Sequence, residues 1–170
     1  MPTTRTLKRV ALLGAVTFGL ACGDDDDPTG PGNVTFPDWP ATAIAAFCVR
    51  GTAVVGDTKS GSIADTDCDF SDVQPQGEGF YEIWRVRVAS SRDVTFDANS
   101  TFDNFLAVLR INSVTATSVD VELVEENDDR SPPTNLNALV TARLEPNVDY
   151  VVVISGFEDV DTGPYTLAIR

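Results

Sequence analysis

Phe102-Asp103-Asn104-Phe105-Leu106-Ala107-Val108-Leu109-Arg110 is an apolar run of strand length, entered through a polar Asp-Asn corner. It is too short for a capped globular helix, and its aromatic and branched side chains suit a strand buried on both faces. The two-residue period puts Leu106 and Val108 on one face and Phe105, Ala107 and Leu109 on the other. A central strand with cover on both sides follows. Asp103 and Asn104 stand where the chain turns into the sheet, a place that short polar side chains favour because they bond nearby backbone amides.

The flanks read as further strands. Before the run, Trp84, Val86 and Val88 alternate with Arg85 and Arg87, the pattern of a half-buried antiparallel strand. Arg92-Asp93 reads as a turn, and Val94, Phe96 and Ala98 as the inward face of the next strand. After the run, Val119, Val121 and Leu123 alternate with Asp120 and Glu122 and lead into Glu125-Glu126-Asn127-Asp128-Asp129. Ser131-Pro132-Pro133 is a loop, and strands are expected over 139–144 and 150–154. An acidic turn spans 156–163, and Tyr165, Leu167 and Ile169 alternate beyond it. Strands at a spacing of roughly 8–12 residues with turn chemistry between them predict an all-β fold, an antiparallel β-sandwich or jelly-roll-like single domain. Only the stretch before Gly61 is poorly periodic: 41–49 suits a short helix or an edge strand, and 52–55 a strand.

The chain divides into three parts. Residues 1–21 carry Arg5, Lys8 and Arg9, then a short apolar segment, then Gly19-Leu20-Ala21 before Cys22, the layout of an export signal. The apolar segment is shorter than a bilayer requires. Leu-Ala-Cys resembles a bacterial lipobox, which implies a lipid on Cys22; the plainer alternative is an ordinary secretory leader. Residues 22–33, with Gly23-Asp24-Asp25-Asp26-Asp27 and Pro28-Thr29-Gly30-Pro31-Gly32, read as an acidic, Pro/Gly-rich tether. The domain is expected over 34–170. These parts together predict a lipoprotein of the cell envelope, in the outer membrane and facing the periplasm or the cell surface.

Charge and residue types narrow the function. The formal net charge is −14, and without the leader nine basic side chains face 26 acids, a net charge of −17. Such a chain repels phosphate backbones and anionic lipid heads, so nucleic acid is not an expected partner and the membrane is met through the lipid alone. There is no histidine, which removes Ser-His-Asp and Cys-His catalysis and histidine-ligated zinc. With Cys22 taking the lipid, Cys48 and Cys68 are left to pair in an oxidising compartment or to stay as two free thiols. Paired, they close a loop of about 20 residues and stabilise by about 3 kcal/mol in the chain-entropy model.

The order of features resembles the bacterial pre-peptidase C-terminal domain, a small β-sandwich of exported proteins, over about 61–170. Phe80-Tyr81-Glu82-Ile83-Trp84 enters a strand, Phe102-Asp103-Asn104-Phe105-Leu106 matches the family's Asp-x-x-Leu strand, and Asn127-Asp128-Asp129 its Asn-Asp-Asp turn. Asn137 before Leu144, Tyr150-Val151-Val152-Val153 before Gly156, and Gly163-Pro164-Tyr165-Thr166-Leu167 complete the set. Two places depart from it: residues 111–118 read as an insertion, and Pro146-Asn147-Val148 stands where the family usually has a glycine. The resemblance implies a non-catalytic accessory or binding module and names no ligand.

Asp103, Asn127, Asp128 and Asp129 are oxygen ligands of the kind calcium takes, brought by two segments, and the plainer reading makes them turn caps. Glu158, Asp159 and Asp161 form a second acidic group. Trp39, Tyr81 and Trp84 suit either a sugar-stacking platform or the core. An enzyme would have to use carboxylates, and no pair is marked out by its surroundings. The expectation is therefore a non-catalytic envelope module that recognises extracellular protein or polysaccharide, with calcium a candidate stabiliser that ranks below the turn-cap reading of the same residues. The alternative is a structural or chaperone-like envelope protein assisting a separate exported peptidase.

Overall fold

The computed structural model describes residues 34–69, 79–132, 134–158 and 160–170; the leader, Cys22 and the tether lie outside the described residues. In chain order the elements are α1 (Ala41–Ala46), β1 (Val49–Ala53), β2 (Thr58–Ile63), β3 (Cys68–Asp69), β4 (Phe80–Val86) and β5 (Arg92–Ser100). Then come β6 (Asn104–Val114), β7 (Val119–Asn127), β8 (Leu139–Leu144), β9 (Tyr150–Gly156) and β10 (Gly163–Ile169). The large sheet has the order β1-β4-β9-β6-β7, with β3 also on β4, and the small sheet the order β2-β10-β5-β8. Every pair is antiparallel except β1 with β4. The β-sandwich expected from strand spacing is the fold observed.

Its core follows from alternation. Leu106 and Val108 of β6, Val152 and Ile154 of β9, and Trp84 and Val86 of β4 point between the sheets. They meet Phe96 and Ala98 of β5, Val140 and Leu144 of β8, and Leu167 and Ile169 of β10. The opposite set on the large sheet, Phe105, Ala107, Ile83, Val151 and Val153, packs under Trp39, Ala43 and Phe47. A strap of residues 34–47, including α1, thus covers the outer face. Double burial of the strand at 102–110 is borne out, with Leu106, Ala107 and Val108 wholly excluded from solvent.

Cys48 and Cys68 are joined, their Cα atoms 5.8 Å apart. The bridge has a topological role: the chain leaves the large sheet after β1, contributes β2 to the small sheet and returns as β3 beside the same strand, β4. A covalent loop therefore wraps one lateral edge of the sandwich.

Several expectations change. Arg92-Asp93 begins β5 and pairs with Leu144 and Arg143, so it is no turn. The strand placed at 52–55 is β1, Val49–Ala53. β2, Thr-Lys-Ser-Gly-Ser-Ile, was not expected, because only Ile63 of its side chains is buried and no apolar alternation marks it. Gly61 is required there: a Cβ would overlap the Tyr165 hydroxyl and the Glu82 carboxylate. Glu82 is buried, accepts a 2.6 Å hydrogen bond from Tyr165 and faces Arg50 at 3.2 Å. Burial pushes its pKa up, against the Tyr165 hydrogen bond and the Arg50 charge. Residues 111–118 are no detached insertion: Ile111 to Val114 lengthen β6, and Thr115 to Ser118 close the hairpin through a 2.8 Å bond from Thr115 N–H to the Ser118 carbonyl.

Candidate functional site

Arg85 of β4 and Arg87 just past its end lie on one side of the sheet, as alternation requires, yet that side is not open to solvent. Arg85 is 6% exposed, because the strap crosses over it. Its Nη2 donates to the Pro37 carbonyl at 2.6 Å, and its guanidinium lies 4.6 Å from the Trp39 ring and 5.5 Å from the Phe36 ring. Arg87 donates to the carbonyls of Thr35 and Asn147. Asp149 balances both cations, 2.7 Å from Arg87 Nε and 3.8 Å from Arg85 Nη2. Burial lowers the Arg85 pKa, and Asp149 opposes that shift. A planar, weakly hydrated guanidinium suits this place, since it stacks on rings and still binds a carbonyl.

Beside this clamp the outer face opens into a groove of about 480 Å³. One wall is the strap at Pro37, Asp38 and Trp39; the other is the end of β6 from Arg110 to Val114; Arg87 and the turn at Asn147, Val148 and Asp149 close the end. The volume is in the range that holds a compact ligand or a few side chains. Arg110, Asn112, Ser113 and Asn147 are exposed, and Arg110 takes part in none of the ion pairs among the described residues. Asn147 has φ 61°, a left-handed conformation that asparagine tolerates better than other non-glycine residues. It stands in the groove beside Val148 and Asp149, across from residues 110–114.

Arg87, Arg110, Asn112 and Asn147 were not singled out by the sequence as site residues. The signal that could have found them was the pair of departures, which lie far apart in the chain and read only as altered turns.

The sequence-predicted acidic site comes together only in part. Asp103 lies within electrostatic reach of Asp129, Asp161, Asp128 and Glu158; burial first, then these charges, raises its pKa to about 6. Burial first, and then Asp128, raises Asp129. Asn127, however, donates its amide to the Leu139 carbonyl at 3.0 Å, and Asp128 Oδ1 accepts the Asp129 N–H at 2.8 Å. Among the described residues no group of three or more His, Cys, Asp and Glu side chains is arranged to hold a metal ion. Asn104 serves as the corner: its amide donates to Ser100 Oγ and Asn137 Oδ1, and its Oδ1 accepts the Ala138 N–H at 2.8 Å. Asn137, part of the resemblance, also accepts the Ser100 N–H at 2.7 Å.

The aromatic platform is not available on the surface. Trp39, Tyr81 and Trp84 are 8%, 3% and 9% exposed. Trp84 Nε1 donates to the Tyr165 hydroxyl at 2.8 Å, which anchors it between the sheets.

No family model and none of the curated proteins matches the chain. Among solved structures, the pre-peptidase C-terminal domain of a Bacillus anthracis collagenase aligns over 71% of this chain and 93% of its own, at 11% identity and a TM-score of 0.44. A periplasmic inhibitor of g-type lysozyme from Aeromonas hydrophila aligns over 72% and 97%, at 10% identity and a TM-score of 0.45. A surface-associated copper-binding protein of Methylomicrobium album BG8, important in copper acquisition there, aligns over 72% and 98%, at 7% identity and a TM-score of 0.51. Among the described residues no helix is long and apolar enough to cross a membrane. At these identities the likeness is one of fold alone: the chain is an all-β sandwich.

Proposed function

We propose that this protein is a non-catalytic binding module of the cell envelope, held by lipid on Cys22, that recognises an extracellular macromolecule through the groove between the strap and β6. The observation that carries the reading is the convergence of residues 37–39, 110–114 and 147–149 on one cleft. Its lining mixes exposed amides, a guanidinium free of ion pairs and the apolar side chains of Ile111 and Val114, the composition of a polypeptide contact surface. A protein partner is favoured over polysaccharide, because the large aromatics that would stack on sugar rings are buried. Of the two carboxylates that line the groove, Asp149 is held by Arg87 and Arg85, and Asp38 stands exposed on the strap wall.

The test is binding of the purified chain to arrays of extracellular proteins and polysaccharides, with calcium and with chelator, in parallel with Arg110→Glu and Ile111→Glu. A specific protein hit that both substitutions weaken is the expected result. Equal binding with calcium and chelator would remove calcium at Asp103, Asn127, Asp128 and Asp129 from any role in recognition. A hit untouched by either substitution would move the site elsewhere, and silence on both arrays would end the reading.

A further inference from the structure

The two lateral edges of the sandwich differ. The edge at β1 and β3 is tied to the small sheet by the loop that Cys48–Cys68 closes. At the opposite end of the large sheet stands β7, which pairs with β6 on one side. Among the described residues no backbone hydrogen bond joins Val119–Asn127 to a strand other than β6. β7 therefore presents a row of backbone donors and acceptors of the kind that can template another strand.

The side chains of β7 restrict what can pair there. Val119 and Val121 are buried on the outer face, and Ile111, Val114 and Leu123 beside them are only partly covered. An apolar strip thus runs up to the edge. Asp120, Glu122 and Glu125 are exposed and take part in no ion pair among the described residues. With Glu126 they make four acids and no base in the nine residues of β7. Like charges facing across a strand pair are destabilising, so this edge rejects a second copy of itself and any acidic strand. A strand with alternating apolar and basic residues meets no such penalty: its apolar side chains extend the strip, its cations face Asp120 and Glu122, and its backbone completes the ladder.

We infer that the open edge of β7 accepts an extended, basic segment of a partner protein as an added strand. This rests on the reading of the chain as a protein-binding module and names the chemistry of the partner. Ile111 and Val114 belong both to the groove and to the strip, so the two surfaces are continuous.

The experiment measures binding of the full chain, by fluorescence anisotropy in 150 mM salt, to four labelled eight-residue peptides: alternating Lys-Val, alternating Glu-Val, a scrambled lysine-valine order, and Lys-Val with N-methylated backbone amides. The expected result is binding of Lys-Val at least tenfold tighter than Glu-Val and the scrambled order. N-methylation, which leaves the charge and removes the backbone donors, lowers binding by tenfold or more. Asp120→Lys with Glu122→Lys exchanges the preference to Glu-Val; the milder Asp120→Asn with Glu122→Gln removes it should the double reversal fail to fold. Equal binding of the N-methylated or scrambled peptide would show charge attraction alone and overturn the inference, as would no binding of Lys-Val. If the peptides fail while a protein hit on the array is lost in Ile111→Glu, the edge assignment falls and the groove reading stands; if both are silent, both fall.

Discussion

The outer face of the large sheet carries Phe105, Ala107, Val151 and Val153 and lies under the strap, whereas the outer face of the small sheet carries Thr58, Ser60, Ser62, Thr141 and Thr166, all exposed. Both faces are built on antiparallel ladders with the same two-residue period. What differs is the second set of side chains. Apolar residues on the solvent side of β6 and β9 must be covered by something, and the chain spends residues 34–47 on that task. Exposed hydroxyls on β2, β8 and β10 need no apolar cover, and that of Thr141 meets the Thr95 hydroxyl at 2.9 Å. One consequence is functional: the groove exists only where the strap lies along the large sheet and stops short of the end of β6.

Removing the cover should produce the largest effect. Trp39→Ala takes a mostly buried indole off the outer face and should cost about 3–5 kcal/mol in urea unfolding. A cost below 1 kcal/mol would mean that the strap is not part of the cooperative unit. Next comes the covalent tie at the end of the strap: Cys48→Ala with Cys68→Ala should lower stability by about 3 kcal/mol, read as a lower urea midpoint with a slope equal or steeper, because the unfolded chain without the bridge is less compact.

A smaller, pH-dependent effect is expected at the acidic end. Asp103 has its folded pKa raised to about 6, above the ordinary 3.8, so the folded state holds the proton more tightly than the unfolded one. Ionisation of Asp103 therefore costs stability as pH rises from about 4 through 6, and the cost is fully present above that window. Asp103→Asn should stabilise at pH 7.5 by about 1 kcal/mol, a figure discounted for solvent screening, and the gain should vanish near pH 4. A gain independent of pH would separate it from the charge. The smallest effect belongs to the bare face: Thr166→Ala should change stability by no more than about 0.5 kcal/mol and leave array binding intact, so a lost hit would turn attention to the small sheet.

The strands most legible in the sequence were those whose side chains leave no choice. β6 is apolar on both faces, β4 and β10 alternate cleanly, and β8 was placed at its observed bounds. β2 was missed because Ile63 is its one buried side chain and the Thr, Lys, Ser, Gly and Ser before it show no apolar alternation. Arg85 looked solvent-facing because alternation assigns a side of the sheet and does not say what lies on it. Asp103, Asp128 and Asp129 lie within electrostatic reach of one another, but the Asn127 amide and one Asp128 oxygen are aimed at backbone groups, a matter of rotamers that spacing does not encode. The groove was the least legible feature, since its walls come from three stretches of chain separated by dozens of residues.

The strap also has mechanical meaning. Tension reaching the domain from its N-terminal side would load the carbonyl of Thr35 against Arg87 first and that of Pro37 against Arg85 next, one latch after another. Peeling residues 34–47 would release about 45 Å of chain at roughly 3.3 Å per residue before the pull arrived at Cys48. There the covalent bond to Cys68 would carry the load past residues 49–67, so β1 and β2 could not be drawn out and the pull would pass directly to Cys68 and β3.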